Sequence, residues 1–350
     1  MKSTIFITYI VPCYNIEKQL PRCVESLERQ HLEDSELEFI MVNDGSTDNT
    51  LTVIKQFAER DDRVIVVDQE NQGVCKARNN ALKLVHGQYV FFLDGDDYLT
   101  EDASKIMYKF CKNSMPDIAV YGMYKVYENK QNSTQVWFDS RSHIAPGYYD
   151  KKTYIENAKI IPVSFKLYNF KFLKKNHIIF DEHLLTGEVF TFFIHTLTLA
   201  DTIGISPDFI MYYLKRSDNS ATSVISVERD MSIIDTLHVI TKYVYKNDPL
   251  LIDNRSFVIS FFWIITAFST IKYATRTKYT SQVGGLLSVL KSDKDYDRLL
   301  RFLTSSKGFR IDKYSLMAAA IKYLPIRVCY DIMRASYFVM ARIKRTENHK

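Results

Sequence analysis

The sequence predicts an α/β fold: a Rossmann-like, mostly parallel sheet with helices on both faces, followed by a C-terminal helical region. Two observations predict it. Apolar runs alternate with amphipathic helical segments through the first 125 residues, in the order βαβαβαβ. Polar clusters follow the first, second and fourth apolar runs directly. Parallel strands joined by right-handed crossovers place those clusters on one rim, where sheets of this kind bind ligands.

The elements follow in order. Phe6 to Val11 is a continuous apolar run, as expected of a strand covered on both faces. Ile16 to Gln30 reads as a helix, with Leu20, Cys23, Val24 and Leu27 on one stripe and Pro21 early enough to be tolerated. Leu37 to Val42 is the second strand. Asp48 is placed to cap the next helix, which buries Leu51, Ile54 and Phe57. Arg63 to Val67 is the third strand, and Val74 to Val85 a helix with Ala77, Ala81 and Leu84 inward. Tyr89 to Leu93, Glu101 to Cys111 and Asp117 to Tyr121 continue as strand, helix and strand. Beyond them, Tyr148-Tyr149-Asp150 and Lys166 to Asn169 have strand or loop character. Glu188 to Leu199 reads as a helix, Ile210 to Lys215 as a strand, and residues from Val227 onward as helical. The expected domains are residues 1–225 and 226–350.

The composition is that of a folded chain: 46% apolar and 25% charged residues over 350 positions. Its 23 Tyr and 22 Phe fit well-filled cores first and sugar-stacking platforms second. Five cysteines without a CxxC pair suit neither a disulfide framework nor a zinc site, so free thiols in a reducing cytosol are expected. The N-terminal apolar run is too short for a signal segment, and the run from Phe257 to Ile271 is interrupted and too short to span a bilayer. Seven cations and two anions between Ile321 and Lys350 carry the whole net charge of +5. A neutral remainder disfavours nucleic acid as a partner. Apolar residues at helical spacing between those cations make 321–345 either a basic amphipathic helix on a membrane surface or a docked helix with a solvated face.

Three stretches carry chemistry. In Phe92-Leu93-Asp94-Gly95-Asp96-Asp97, carboxylates crowd at a strand end and would repel unless a cation neutralises them. A hard divalent ion bound to a diphosphate supplies that cation. Gly95 would let a ligand approach the backbone. An Asp-rich turn is the plain alternative. In Asn43-Asp44-Gly45-Ser46-Thr47-Asp48, Gly45 turns and Asp48 caps, but Asp44 has no evident structural duty and could meet a pyrimidine base. In Asn71-Gln72-Gly73 with Ala77-Arg78-Asn79, a Gly-led turn opens a helix. Arg78 is either a nucleotide contact or a surface arginine.

With Val11-Pro12-Cys13-Tyr14-Asn15 these stretches, in this order and spacing, resemble the inverting glycosyltransferases of family 2, which have the GT-A fold and include bacterial polysaccharide-biosynthesis enzymes. The resemblance covers residues 4–125 well and 126–223 weakly. It implies a nucleotide-sugar-binding half at 1–125 and an acceptor half at 126–225. By it, Pro12, Tyr14, Asn15, Asp44, Gly73, Arg78, Asp94 and Gly95 hold the nucleotide-sugar donor, UDP being the default. Asp96, with Asp94, binds Mn²⁺ or Mg²⁺, and a carboxylate deprotonates the acceptor. The acceptor is a glycan or lipid-linked molecule, and the setting cytoplasmic, at the inner membrane face where 321–345 makes contact. The chain departs from the family's Glu-Asp pair at Glu188-Val189: either Val189 replaces the Asp or Glu188 stands for it. Glu188 is taken as the base; a favourable charge at a helix start is its other explanation. Arg216, in Lys215-Arg216-Ser217-Asp218, is read as a turn residue before a diphosphate ligand. A catalytically degenerate nucleotide-sugar-binding protein and a nucleotidyltransferase on a similar sheet are the competing readings. The latter lacks its Gly-rich phosphate loop here.

Overall fold

The computed structural model describes residues 4–32, 36–128, 134–142, 144–157, 166–216 and 227–248, with isolated positions between 251 and 323. The chain divides into two compact units. The first holds Met1–Ala158, Pro162–His183 and Glu188–Val224; the second holds Lys159–Ile161, Leu184–Gly187 and Ile225–Lys350.

The first unit is built on one sheet. Strands β1 (Ile5–Cys13), β2 (Glu36–Asp44), β3 (Val64–Gln69) and β4 (Tyr89–Phe92) lie in the order β3-β2-β1-β4, all parallel. Helices α1 (Leu20–Glu28), α2 (Thr50–Ala58) and α3 (Val74–Leu82) connect them. The predicted stripe of α1 is buried as expected, with Leu20, Cys23, Val24 and Leu27 inward. So are Ala77 and Ala81 of α3, but that helix ends at Leu82 and leaves Leu84 exposed. Strands β1, β2 and β4 are nearly continuous in burial, as an apolar run between two helical layers must be. Aromatics fill the layer beneath: Tyr9 packs on Phe39 and Phe91, and Phe39 stacks on Phe57.

Past β4 the sheet is mixed. The short β5 (Tyr98–Leu99) precedes α4 (Ala103–Cys111) and β6 (Ile118–Tyr127). Strand β7 (Gln135–Phe138) pairs antiparallel with β6 and β8 (Gly147–Asp150) with β10 (Thr202–Lys215). Helix α5 (Lys151–Asn157) follows β8. The sequence places the fifth parallel strand after β4 in the chain; in the sheet, β9 (Lys166–Asn169) lies antiparallel between β4 and β6. It supplies the hydrogen-bonding edge that both neighbours need. Helix α6 (Phe170–Lys175) and helix α7 (Glu188–Leu199) lead to the long β10, parallel to β6. In the second unit, α8 (Val227–Asn247) buries Ile234, Leu237, Ile240 and Val244 at helical spacing. Thr236 donates to the Thr186 carbonyl at 2.7 Å.

Among the described residues no helix is long and apolar enough to cross a membrane. Residues 257–271, and 321–345 apart from Tyr323, lie outside the described residues.

β9 carries one costly residue. Lys166 is buried, its ammonium 3.8 Å from the centre of the Phe193 ring. Burial pushes its amine down from 10.5 to about 7. Between those values the folded chain holds fewer protons than the unfolded one, so this residue makes stability rise as pH climbs from about 7 to 10.5. Lys166→Met should remove that rise in denaturant melts. At pH 7 the change should be neutral to stabilising, since a packed apolar side chain replaces a buried amine.

Candidate active site

The carboxyl ends of β1, β2 and β4 share one rim because the strands are parallel. Two loops on that rim are laced together. Asn15 has φ 50 and accepts the Thr47 amide at 2.8 Å, while its own amide donates to the Ser46 hydroxyl at 3.1 Å. The Ile16 amide donates to Thr50 Oγ1, and the Glu17 amide to Asp48 Oδ2. Asp48 also accepts the Thr50 amide, one residue before the Asn49 cap position. Burial raises its carboxyl, but these donors outweigh it and hold Asp48 below the usual carboxylate range. Pro12 is partly exposed between the buried Val11 and Cys13, and Tyr14, half exposed, stands apart from the lacing.

Asp44 has a structural duty that its sequence context does not reveal. It is buried, and both oxygens are engaged: Oδ1 accepts Gln69 Nε2 at 2.8 Å and the Gln72 amide at 2.9 Å, and Oδ2 accepts the Gly73 amide at 2.9 Å. Asp44 therefore holds the turn that opens α3, where Gly73 has φ 87, a left-handed value natural to glycine. Gly95 is closely packed. A Cβ there would lie 2.5 Å from Ile16 Cδ1, 3.1 Å from Cys13 Sγ and 3.2 Å from the Pro12 carbonyl. The missing side chain lets the Asp loop sit on the end of β1.

The acidic loop and α7 meet at Arg78. This side chain leaves α3 and is 3% exposed. Its Nη2 donates to Asp94 Oδ1 at 2.7 Å and its Nη1 to Glu188 Oε1 at 3.4 Å. Burial opposes its charge; Asp94 and Glu188 more than offset this, so its affinity for the proton rises. Arg78 is thus buried and ion-paired, not a surface arginine. Beside it, Phe92, Tyr168, Phe180, Val189 and Phe192 line a small pocket with Arg78 and Asp94. Phe180 stacks on Phe192 at 4.2 Å, and Phe92 meets both edge-on. Val189 sits in that apolar lining, where a carboxylate would be desolvated.

Asp96 faces a second arginine. Arg216 Nε lies 3.3 Å from Asp96 Oδ2, close enough for an ion pair but not aligned as a hydrogen bond. The turn reading of Arg216 misses this pairing. Burial, then the charge of Asp94, push the Asp96 carboxyl up to about 6, with Arg216 pulling the other way. Asp97, the third carboxylate of that crowded stretch, is fully buried. Its Oδ1 accepts the Leu214 amide at 2.8 Å and so ties the end of β10 to the acidic loop. Burial, then Asp96 and Asp94, push it well above the usual carboxylate range. Among the described residues, no three His, Cys, Asp or Glu side chains stand together as a metal cage.

Residues 8–176 match the sequence profile of Glycosyl transferase family 2. That match spans just under half of the chain. Glycosyltransferase GlyA of Streptococcus pneumoniae is 40% identical over 124 residues, 35% of this chain and 18% of that protein. A poly(ribitol-phosphate) beta-glucosyltransferase of Bacillus spizizenii is 28% identical over 222 residues, covering 62% and 33%. The poly(ribitol-phosphate) beta-N-acetylglucosaminyltransferase TarS of Staphylococcus aureus is 30% identical over 216 residues, covering 61% and 36%. The chain thus spans about a fifth to a third of the length of these curated relatives. The crystal structure of S. aureus TarS 1–349 in complex with UDP-GlcNAc superimposes with a TM-score of 0.73 and 21% identity, over 95% of this chain and 91% of that one. The family 2 domain here therefore has the GT-A fold.

Asp44→Asn would turn an amide toward the backbone N–H groups of Gln72 and Gly73, which the carboxylate now satisfies. We expect a loss of about 0.5–1.5 kcal/mol in urea unfolding, the net worth of a hydrogen bond whose donor can turn to water.

Proposed function

We propose that this family 2 chain is an inverting glycosyltransferase. It would move a hexosyl or N-acetylhexosaminyl group from a nucleoside diphosphate, UDP first, to a hydroxyl of a glycan or lipid-linked acceptor. One observation carries the reading. Asp94 and Glu188 meet on Arg78, and Asp96 lies within the field of Asp94, all beside the carboxyl rim of parallel strands. The relatives support it by name: two transfer glucose or N-acetylglucosamine to poly(ribitol phosphate), and the TarS crystal holds UDP-GlcNAc. A polyol-phosphate chain is thus the first acceptor class to try.

The roles follow from position. Tyr14, Pro12 and the turn of Gly73 flank the nucleotide, with Asn15 and Asp44 holding those loops in place. Asp94 and Asp96 form a donor set of two carboxylates, each already facing a cation in the form of an arginine. Mg²⁺ and Mn²⁺ sites of this kind take one or two carboxylates and fill the remaining positions with phosphate oxygens and water, so the residues fit such an ion. When bound there, it would supply positive charge to the departing diphosphate. Glu188, at the N-terminus of α7, receives the proton of the acceptor hydroxyl. That oxygen forms its bond to the anomeric carbon as the bond from that carbon to the phosphate oxygen breaks. The electron pair leaves with the nucleoside diphosphate, and attack from the opposite face inverts the centre.

A thermal-shift panel of UDP, GDP, CDP and ADP, with and without Mn²⁺, tests the donor site. One nucleotide should raise the melting temperature only with metal, by about 2.7 kcal/mol of stabilisation at a hundredfold excess over Kd. Asp96→Ala should abolish the shift; a panel with no shift under any condition defeats the reading. Glu188→Gln should then lower turnover by about 10²–10⁴-fold with nucleotide binding unchanged, the range of general-base loss. Unaltered turnover would remove Glu188 from the role.

A further inference from the structure

Among the described residues, Arg78 is the one that touches two of the proposed functional carboxylates. Those carboxylates come from separate parts of the chain: Asp94 from the loop after β4, Glu188 from the first turn of α7. The guanidinium is a rigid planar fork, so two nitrogens of one group fix both acceptors at once. Its surroundings hold it still. It lies 5.0 Å over the Phe180 ring, beside the pocket walled by Phe92, Tyr168 and Phe192. Its Nε is buried without a partner. That is a cost a group accepts only where its other contacts dictate its place. With 3% of the side chain exposed, little of the guanidinium is left for a ligand to reach.

We propose that Arg78 is a positioning residue: its buried fork holds the Asp94 and Glu188 carboxylates in a fixed relation instead of binding the nucleotide. The proposal rests on the roles given above to Asp94 and Glu188. Without the fork, two carboxylates face each other across an aromatic floor that screens them poorly. Each would swing toward water. The donor side and the base would then lose register, although neither group itself is changed. A lysine keeps the charge but is a single point on a flexible stem, and cannot grip both carboxylates in one plane.

Two measurements on the full chain test this. The first is stability, which needs no substrate. Arg78→Gln should lower the melting temperature by leaving Asp94 and Glu188 uncompensated. Adding Glu188→Gln should raise it again, because one of the repelling charges is gone. If the double variant is less stable than Arg78→Gln alone, the proposal is overturned. The second is function in Arg78→Lys. UDP affinity with Mn²⁺, read by calorimetry, should stay within about threefold of the wild type. The kcat for UDP release from UDP-N-acetylglucosamine should fall about 100-fold, as for a misplacement of about 1 Å. In a Glu188→Gln background the same change should cost far less, because the group it positions has already lost its function. UDP affinity falling in step with kcat would make Arg78 a nucleotide ligand and end the proposal. If the wild type neither binds UDP with Mn²⁺ nor releases UDP, the donor reading fails, and the stability arm still decides the role of Arg78.

Discussion

A guanidinium taken out of water must be neutralised where it lies. Removing such an ion from solvent costs several kcal/mol even after relaxation, and only close, well-placed anions offset that. Arg78 meets this demand with Asp94 on one side and Glu188 on the other. The pairing constrains the chain in three places. It sets the reach of α3, the path of the loop after β4, and the point where α7 begins. The aromatic floor beneath sharpens the demand, since charge interactions strengthen as water is excluded.

The acidic residues around the rim divide into two groups by what they hold. Asp44, Asp48 and Asp97 direct oxygens to backbone N–H groups of other segments, and so act as joints between loops. Asp94, Asp96 and Glu188 face cations. The joints make the second group precise. Asp97 ties β10 to the acidic loop, and Arg216, two residues beyond its partner Leu214, is thereby delivered to Asp96. Gly95 has the same kind of purpose: it seats the loop on β1 so that Asp94 and Asp96 emerge at a defined height.

Much of this was legible in order and period. The strands β1, β2 and β4 announce themselves as apolar runs, and α7 begins at Glu188 as its pattern indicates. The carboxylates at 94 and 96 were readable because they are neighbours in the chain and follow a buried strand. What escaped was non-local. The segment of β9 was readable as strand or loop, but being four residues long and starting with a lysine it carries no sign of its partners. Its place between β4 and β6 is a matter of which edges remain bare. Arg78 was visible as a cation one turn into a helix, but its partners lie 16 and 110 positions away, and nothing local names them. The structural duty of Asp44 is hidden for the same reason. Its donors belong to a turn that only the folded loop brings within reach.

The late insertion of β9 has a consequence for how the protein is made. During synthesis β1 to β4 can assemble once β4 has left the ribosome, because β4 takes its place against β1 and these four strands need no later one to pair with each other. The outer edge of β4 then stays open until residues 166–169 emerge, and β6 waits on the same four residues for its partner on that side. An unpaired edge is a template for another chain. The interval between translation of Phe92 and of Asn169 is therefore the period in which a nascent molecule is most exposed to pairing with its neighbours on a polysome.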